Sequence, residues 1–270
     1  MGSLSKKKNN GMEAASNGVQ AAPGGAEQQA QGLPLFFKQP AVLDVGRHGK
    51  ATVTPITDYG FTRETNSVPL NAIEFIEAAK FYPIVFTVDE TPMPVAVLGL
   101  EKGNYFVEAT GKWKADSYIP AYVRQYPFIF FEQPEQKQFF LCIDEASDAF
   151  HADAVEGGAP IYTDGKASEL SNNALQFCTA YYQHHAITKN LCADLVQHKL
   201  LGPFQSEATL ASGKKLHLSG FQMIDENAFN ALPDEVFLEF RKKGWLAFIY
   251  LAMSAASNWK RLMDLAGAAA

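Results

Sequence analysis

The stretch Tyr118-Ile-Pro-Ala-Tyr-Val-Arg-Gln-Tyr-Pro-Phe-Ile-Phe-Phe-Glu132 decides the fold that this sequence predicts. It begins as a short amphipathic helical turn that must end before Pro127, because a proline disfavours the helical conformation of the preceding residue. An aromatic, strand-like run follows. The stretch Phe75-Ile-Glu-Ala-Ala-Lys-Phe-Tyr-Pro-Ile-Val-Phe86 has the same order of signals. Together they predict a recurring unit of helix, Tyr-Pro pair and β-hairpin.

Two clear copies of this unit are predicted, near residues 71–108 and 117–143, and a fainter third copy near residues 190–226. Aligning Tyr82-Pro83 with Tyr126-Pro127 places the first two hairpins in register without a gap. The alternative is coincidence, because Tyr-Pro before a strand is common punctuation between elements.

Composition indicates an ordinary globular chain that needs no disulfide framework. Its 270 residues are enough to bury a sizeable core, and its formal net charge of −6 argues against a nucleic-acid-binding surface. Cys142, Cys178 and Cys192 form no CxxC pair, so buried, reduced thiols are expected. We also expect no secretory signal and no membrane span, since the most apolar stretch, Trp245–Ala256, is much shorter than a spanning helix. This predicts a cytoplasmic location, with export to the cell surface by a signal-independent route as the alternative.

The first 32 residues contain no aromatic or β-branched residue except Val19, which predicts a disordered tail. Residues 33–270 are predicted to form one domain. Its first half should contain a strand over 51–56 and a helix that Asn71 and Glu74 begin as a capping box, with Ile73 and Ile76 on its apolar face.

The remaining elements follow from apolar periodicity and turn residues. A three-stranded meander is predicted over 84–88, 95–100 and 105–108, and a second hairpin over 128–132 and 139–143. We then expect an acidic loop over 144–165, a mostly helical segment over 168–201, a hairpin closed by Ala211–Lys214, and two C-terminal helices that begin near Pro233 and Trp245. The predicted class is α+β, with antiparallel hairpins, packed helices and a helical C-terminal part.

Metal chemistry has weak support in the sequence. The only metal-like helical pairs join a carboxylate to an imidazole, as in Asp194 with His198, whereas a closed site needs three or four ligands. Asp-Glu follows a strand-like run at Asp89, Asp144 and Asp225. We favour turn and helix capping for these acids, with Asp225 capping residues 227–231, over a carboxylate cluster for acid-base or cation chemistry.

Five residues are candidates for binding a ligand or partner. Arg63, Asn66 and Arg124 stand beside turn and helix signals, where they could position an anion or a partner, although most such residues are surface or capping groups. Asp144 joins those three as the site of an enzyme in the catalytic alternative. Trp113 could stack on a sugar, although aromatic residues this dense are more often core. The sequence has no G-x-S-x-G elbow, no P-loop and no dinucleotide-binding glycine motif.

Several segments resemble one family. Thr65-Asn-Ser-Val-Pro-Leu70, Ile119–Phe128, Cys142-Ile-Asp-Glu145, Gly220–Glu226 and Gly244–Tyr250 match the order and wording of the bacterial SapC family, and the likeness extends over about Leu35 to Leu265. This family is distinct from the peptide-transporter permease of similar name. The resemblance implies a link to paracrystalline surface layers, no established catalytic residues, and gene neighbours that encode outer-membrane receptors and flavin-dependent halogenase-like proteins.

These observations predict a non-catalytic accessory or assembly protein of a bacterial surface layer or cell envelope. One alternative is an enzyme or enzyme partner in a peptide- or sugar-processing pathway linked to those receptors and halogenase-like proteins, and another is a glycan-binding module. We expect protein partners and no cofactor, and the sequence leaves homo-oligomerisation open.

Overall fold

The computed structural model describes residues 33–133, 138–209, 213 and 215–269. The predicted tail and most of the predicted Ala211–Lys214 turn lie outside the described residues. In the described part the strands are β1 (Pro40–Val42), β2 (Thr52–Val53), β3 (Ser67–Pro69), β4 (Ile84–Phe86), β5 (Pro94–Val97), β6 (Phe128–Gln133), β7 (Gln138–Asp144), β8 (Phe150–His151), β9 (Ala159–Pro160), β10 (Tyr162–Thr163), β11 (Lys166–Ala167), β12 (Leu201–Thr209) and β13 (Lys215–Ile224). The α-helices there are α1 (Val45–His48), α2 (Phe75–Ala78), α3 (Ala121–Arg124), α4 (Glu169–Gln197), α5 (Glu226–Asn230), α6 (Asp234–Lys243), α7 (Trp245–Ser254) and α8 (Asn258–Ala269).

The predicted α+β class is confirmed, because all strand pairs are antiparallel and the chain ends in a run of helices. The largest sheet has the order β12-β13-β4-β5-β3, and a second sheet has the order β1-β7-β6. Smaller sheets join β8-β2-β9 and β10-β11.

Two hydrophobic cores lie along α4. Val68, Phe75 and Tyr82 belong to the first core, which packs on the five-stranded sheet, and Phe128 and Ile143 belong to the second. Helix α4, 29 residues long, contributes Leu191 and Leu195 to the first core and Cys178 to the second. The five-stranded sheet and the β1-β7-β6 sheet are therefore both held on one continuous helix. This helix lies within the helical segment predicted over 168–201.

The prediction of a third meander strand over 105–108 is wrong. Val107 forms only an isolated bridge with Trp113, and β3 takes the third position by pairing Ser67 with Val97. The Asn104 side chain prevents the continuation, since its Oδ1 accepts from the Phe106 N–H and its Nδ2 donates to Thr62. A side chain that accepts a hydrogen bond from the backbone N–H two residues later favours a turn over continued strand pairing.

The predicted apolar face of the helix after Asn71 is also wrong. Ile73 and Ile76 are 50% and 59% exposed, whereas Ala72, Phe75 and Ala78 are buried. The segment begins as a 3₁₀ turn, Ala72–Glu74, whose three residues per turn align positions three apart. The buried residues Ala72, Phe75 and Ala78 are likewise three positions apart.

Three further predictions need correction in their extent. The strand predicted over 51–56 is only β2, because Pro55 has no N–H for a ladder. The loop predicted over 144–165 contains β8, β9 and β10. The predicted helix that begins near Trp245 is interrupted at Ala255–Ser257, where the buried Asn258 side chain donates to the carbonyls of Ala79, Tyr82 and Ala255.

The two Tyr-Pro pairs occupy similar places in different sheets. Each follows a one-turn helix and precedes a hairpin, β4-β5 or β6-β7. The Tyr126-Pro127 peptide is cis, whereas no cis bond occurs at Tyr82-Pro83. Ile84 pairs with Ala96, but Phe128 pairs with Ile143, so the hairpins are three residues out of the register that the gapless alignment gives. Whether the units are a true duplication stays a prediction.

Helix α6 begins and ends as its sequence signals predict. Asp234 and Glu235 lie in the first turn of α6, and Gly244 ends it in the left-handed conformation with φ of 80°. Among the described residues, no helix combines the length and the hydrophobicity that a membrane crossing requires.

Candidate functional site

A cavity of about 340 Å³ lies between the second core and the helix that carries Arg124. Its walls come from the segment after β2, from the α3–β6 connection and from the first half of α4. They are largely apolar, with Val53, Ile56, Phe128, Leu170, Ala174 and Phe177 among them. The polar side chains Arg124, Gln125 and Asn173 line the same space. A volume of this size with few polar groups is typical of a small-molecule site.

The Arg124 side chain is fixed beside the cavity by four contacts. Its Nε donates to the Ile119 carbonyl at 2.9 Å, and its Nη2 donates to the Tyr118 hydroxyl at 3.0 Å. The guanidinium carbon lies 5.5 Å from the centre of the Tyr118 ring and 5.4 Å from that of Phe177. Because a guanidinium has five N–H donors and two are used here, three remain for a ligand. Arg124 is exposed, so these donors meet solvent or ligand.

A buried carboxylate supports Arg124 from behind. Tyr118 donates its hydroxyl to Glu74 Oε1 at 2.9 Å while it accepts from Arg124. Burial, and after it the Glu74 charge, raises the pKa of Tyr118 to about 12, so the phenol keeps its proton and its orientation. Burial also raises the pKa of the Glu74 carboxyl, against the lowering effect of its hydrogen bonds and of Arg124.

Glu74 joins the two Tyr-Pro units. Its Oε2 accepts from the Asn71 N–H at 2.8 Å, which confirms its predicted role in the capping box. Its Oε1 also accepts from the Ala121 N–H at 2.7 Å, the first free donor of α3 after Pro120. One carboxylate therefore holds the start of two helical segments and positions Tyr118 below Arg124.

Trp113 supports the same network from the core. It is only 7% exposed, and its Nε1 donates to the Tyr82 hydroxyl at 3.3 Å. Tyr82 in turn donates to the Tyr118 carbonyl. Trp113 therefore acts through Tyr82 on the backbone of Tyr118, and its ring is not presented to solvent.

Gln125 contributes an unused donor to this region. Its side chain is buried and lines the cavity, and its Nε2 finds no acceptor among the described residues. A buried amide without a partner is costly, but this nitrogen is shielded from solvent, so a ligand meets the exposed Arg124 instead. The described lining of the cavity contains the cationic Arg124 and no carboxylate, which suits an anion attached to an apolar body.

Comparison with models of protein families identifies the family of this chain. A model described as SapC matches residues 43–262, most of the 270-residue chain. The chain belongs to the SapC family. No curated protein and no solved structure matches it. The SapC match contains both Tyr-Pro units and every residue of the Arg124 cavity.

Arg63, Asn66 and Asp144 do not line the Arg124 cavity of this SapC chain. Arg63 is exposed and donates to the carbonyls of Glu108 and Ala109. Asn66 is exposed and lines a second cavity. Asp144 is fully buried, and it accepts from the backbone of Lys38 and Gln39 and from the Tyr126 hydroxyl. The structure thus does not bring Arg63, Asn66, Arg124 and Asp144 into one pocket.

Of the acids predicted to act as caps, Asp225 does so, whereas Asp144 mainly holds Lys38, Gln39 and Tyr126. Asp225 accepts from the N–H groups of Asn227 and Ala228 and begins α5, as predicted. Asp194 bonds Lys243 and Trp245 instead of forming a metal pair with His198. Partial burial acts to raise the pKa of Asp194, but those two hydrogen bonds outweigh it and the pKa is lowered. In the described part of the chain no group of His, Cys, Asp and Glu is suited to hold a metal.

The sequence did not reveal three important residues of the site. The sequence indicates only a capping role for Glu74, and no local pattern marks Phe177 or Gln125 as part of a site. Their roles depend on the packing of α4 and of residue 74 against the 118–128 segment, for which no local sequence signal exists.

Proposed function

We propose that this SapC-family protein is a non-catalytic accessory or assembly protein of a bacterial surface layer or cell envelope, and that it recognises an anionic group of its partner at Arg124. The observation that carries the proposal is the fixed guanidinium of Arg124, which keeps three free donors at the mouth of an apolar cavity.

The support around Arg124 suits binding better than turnover. Both Glu74 oxygens already accept hydrogen bonds, and Tyr118 is held between Glu74 and Arg124. Burial raises the pKa of the Cys178 thiol beside the cavity to about 12, so it is a poor nucleophile near neutral pH. These groups hold the Arg124 guanidinium in place and do not offer a free base or nucleophile.

The cellular setting in this proposal comes from the family. The SapC match contains both Tyr-Pro units, and the link to surface layers is what that membership implies. A carboxylate or phosphate on an envelope component, attached to an apolar group, would match both the charge and the lining of the cavity.

Affinity capture from cells of the native bacterium tests this proposal. We expect the wild-type protein to capture a surface-layer or envelope protein. The Arg124→Gln variant should capture at least about tenfold less of that partner, because a charge-assisted hydrogen bond is removed. Arg63→Gln is the matched control, because Arg63 is equally exposed but bonds only neighbouring carbonyls. Equal retention of the partner by Arg124→Gln and wild type would contradict the proposal, as would a turnover activity that depends on Arg124.

A further inference from the structure

A second cavity, of about 480 Å³, lies on one face of the five-stranded sheet. It opens where the β12-β13 hairpin leaves the sheet, since β13 pairs with β4 only at Gln222 and Phe86. Gly220 lies at this bend with φ of 87°, opposite a register shift between Phe204 and Ser206. A left-handed glycine and a bulge together bend a strand pair away from its neighbours.

The floor of this cavity is apolar. Val85, Val95 and Val97 all line it, and cross-strand pairing of Val85 with Val95 places their side chains on one face. At one end Phe221 and Trp259 add aromatic surface. Their rings lie 5.5 Å apart and nearly parallel, with an angle of 20° between the planes. The floor and this end wall suit a flat apolar group.

The charge of the second cavity is opposite to that of the first. Asp89 is exposed and is the one ionisable side chain among its described lining residues, with no Lys or Arg among them. Asn66 and Ser67 supply neutral polar groups on the rim. An anionic ligand would therefore be repelled by Asp89 and find no cationic partner among the lining residues, whereas a cation would be attracted.

Trp259 lies beside this cavity and can report on its occupation. Its Nε1 is shielded from solvent and finds no acceptor among the described residues, although Trp259 lines the cavity. A ligand in the cavity therefore contacts the indole ring, whereas an oxygen of the ligand meets the Asn66 and Ser67 groups on the rim.

We propose that this second cavity binds a neutral or cationic small ligand that combines an aromatic or similar apolar group with an acceptor oxygen. The apolar group lies on the valine floor beside Trp259, the oxygen meets Asn66 and Ser67 on the rim, and an ammonium group, where present, lies toward Asp89. This site is separate from the Arg124 cavity and does not depend on the function proposed for that cavity.

Three probes that share the phenylalanine skeleton and carry at least one amide test the proposal. L-phenylalaninamide is cationic at about pH 6, below the usual pKa of an α-amino group, N-acetyl-L-phenylalaninamide is neutral, and N-acetyl-L-phenylalanine is anionic. The readout is the indole N–H signal of Trp259 in a two-dimensional ¹H–¹⁵N spectrum, which Trp259→Phe assigns by removing it. Trp113 and Trp245 already donate to Tyr82 and Asp194 and serve as internal references.

We expect the cationic and neutral probes to shift the Trp259 signal saturably at up to about 10 mM, a range suited to ligands of this size. The cation should bind about two- to fivefold more tightly than the neutral probe, and Asp89→Asn should remove that difference. Val95→Phe, which fills the half-buried floor, should abolish the shift, while Arg124→Gln should leave it unchanged. The absence of a saturable shift with both probes, or equal binding of the anion at Trp259, would overturn the proposal.

Discussion

Replacing Glu74 with alanine is expected to lower the free energy of unfolding by about 3–5 kcal/mol, the largest effect of any single substitution near Arg124. The substitution leaves the N–H groups of Asn71 and Ala121 and the Tyr118 hydroxyl without their acceptor in a buried site. Urea denaturation at about pH 7 measures the loss.

Glu77→Ala on the same helical segment is the matched control. Glu77 is exposed and pairs only with Lys80, so its loss should change stability by less than about 0.5 kcal/mol. Equal effects of the two substitutions would show that Glu74 does not hold the two Tyr-Pro units together.

The pH dependence of stability gives a second view of Glu74. Burial raises its pKa in the folded state, so the folded protein binds its proton more tightly than the unfolded chain does. Its contribution to stability is therefore fully present below the unfolded pKa and is lost as pH rises through the raised folded pKa. The neutral Glu74→Gln variant should lack this fall, and the same pH profile for both proteins would contradict the assignment.

Replacing Asp144 with alanine is expected to cost about 3 kcal/mol or more of the free energy of unfolding, because three buried or half-buried donors lose a charged acceptor. Asp144 is 0% exposed, and its carboxylate holds the backbone of Lys38 and Gln39 and the Tyr126 hydroxyl. The N-terminal strand β1 should then separate from β7, which hydrogen exchange at the Ala41 and Leu43 N–H groups measures.

Asp148→Ala is the control for Asp144, since Asp148 is an exposed acid four residues later. It should change stability by less than about 0.5 kcal/mol. A loss below about 1 kcal/mol for Asp144→Ala would mean that its hydrogen bonds are replaced by water and that β1 is held by other contacts.

Local patterns predicted the elements that local chemistry determines. Helix α4, the β4-β5 and β6-β7 hairpins, the Asp225 cap and the Gly244 cap follow from periodicity, turn residues and caps within a few positions. The partners of β1 and β3 were not predictable, because pairing of Pro40 with Asp144 joins residues far apart in sequence. The 3₁₀ turn at Ala72–Glu74 changed the spacing of buried residues and reversed the expected face.

The same limit applies to the candidate site. Arg124 was predicted from its position beside Tyr126-Pro127, and the structure places it at a cavity. Its support by Glu74 and Phe177 arises only when separate segments pack together. Trp113 and Asp144 were polar or aromatic candidates whose burial depends on the tertiary fold.

Calorimetric titration of N-acetyl-L-phenylalanine tests the central claim, that Arg124 makes its cavity an anion site. We expect wild type and Arg63→Gln to bind this anion with affinities within about twofold of each other, and Arg124→Gln to bind it at least about tenfold more weakly. The neutral N-acetyl-L-phenylalaninamide should not distinguish wild type from Arg124→Gln. Undiminished binding of the anion by Arg124→Gln would contradict the assignment of this cavity.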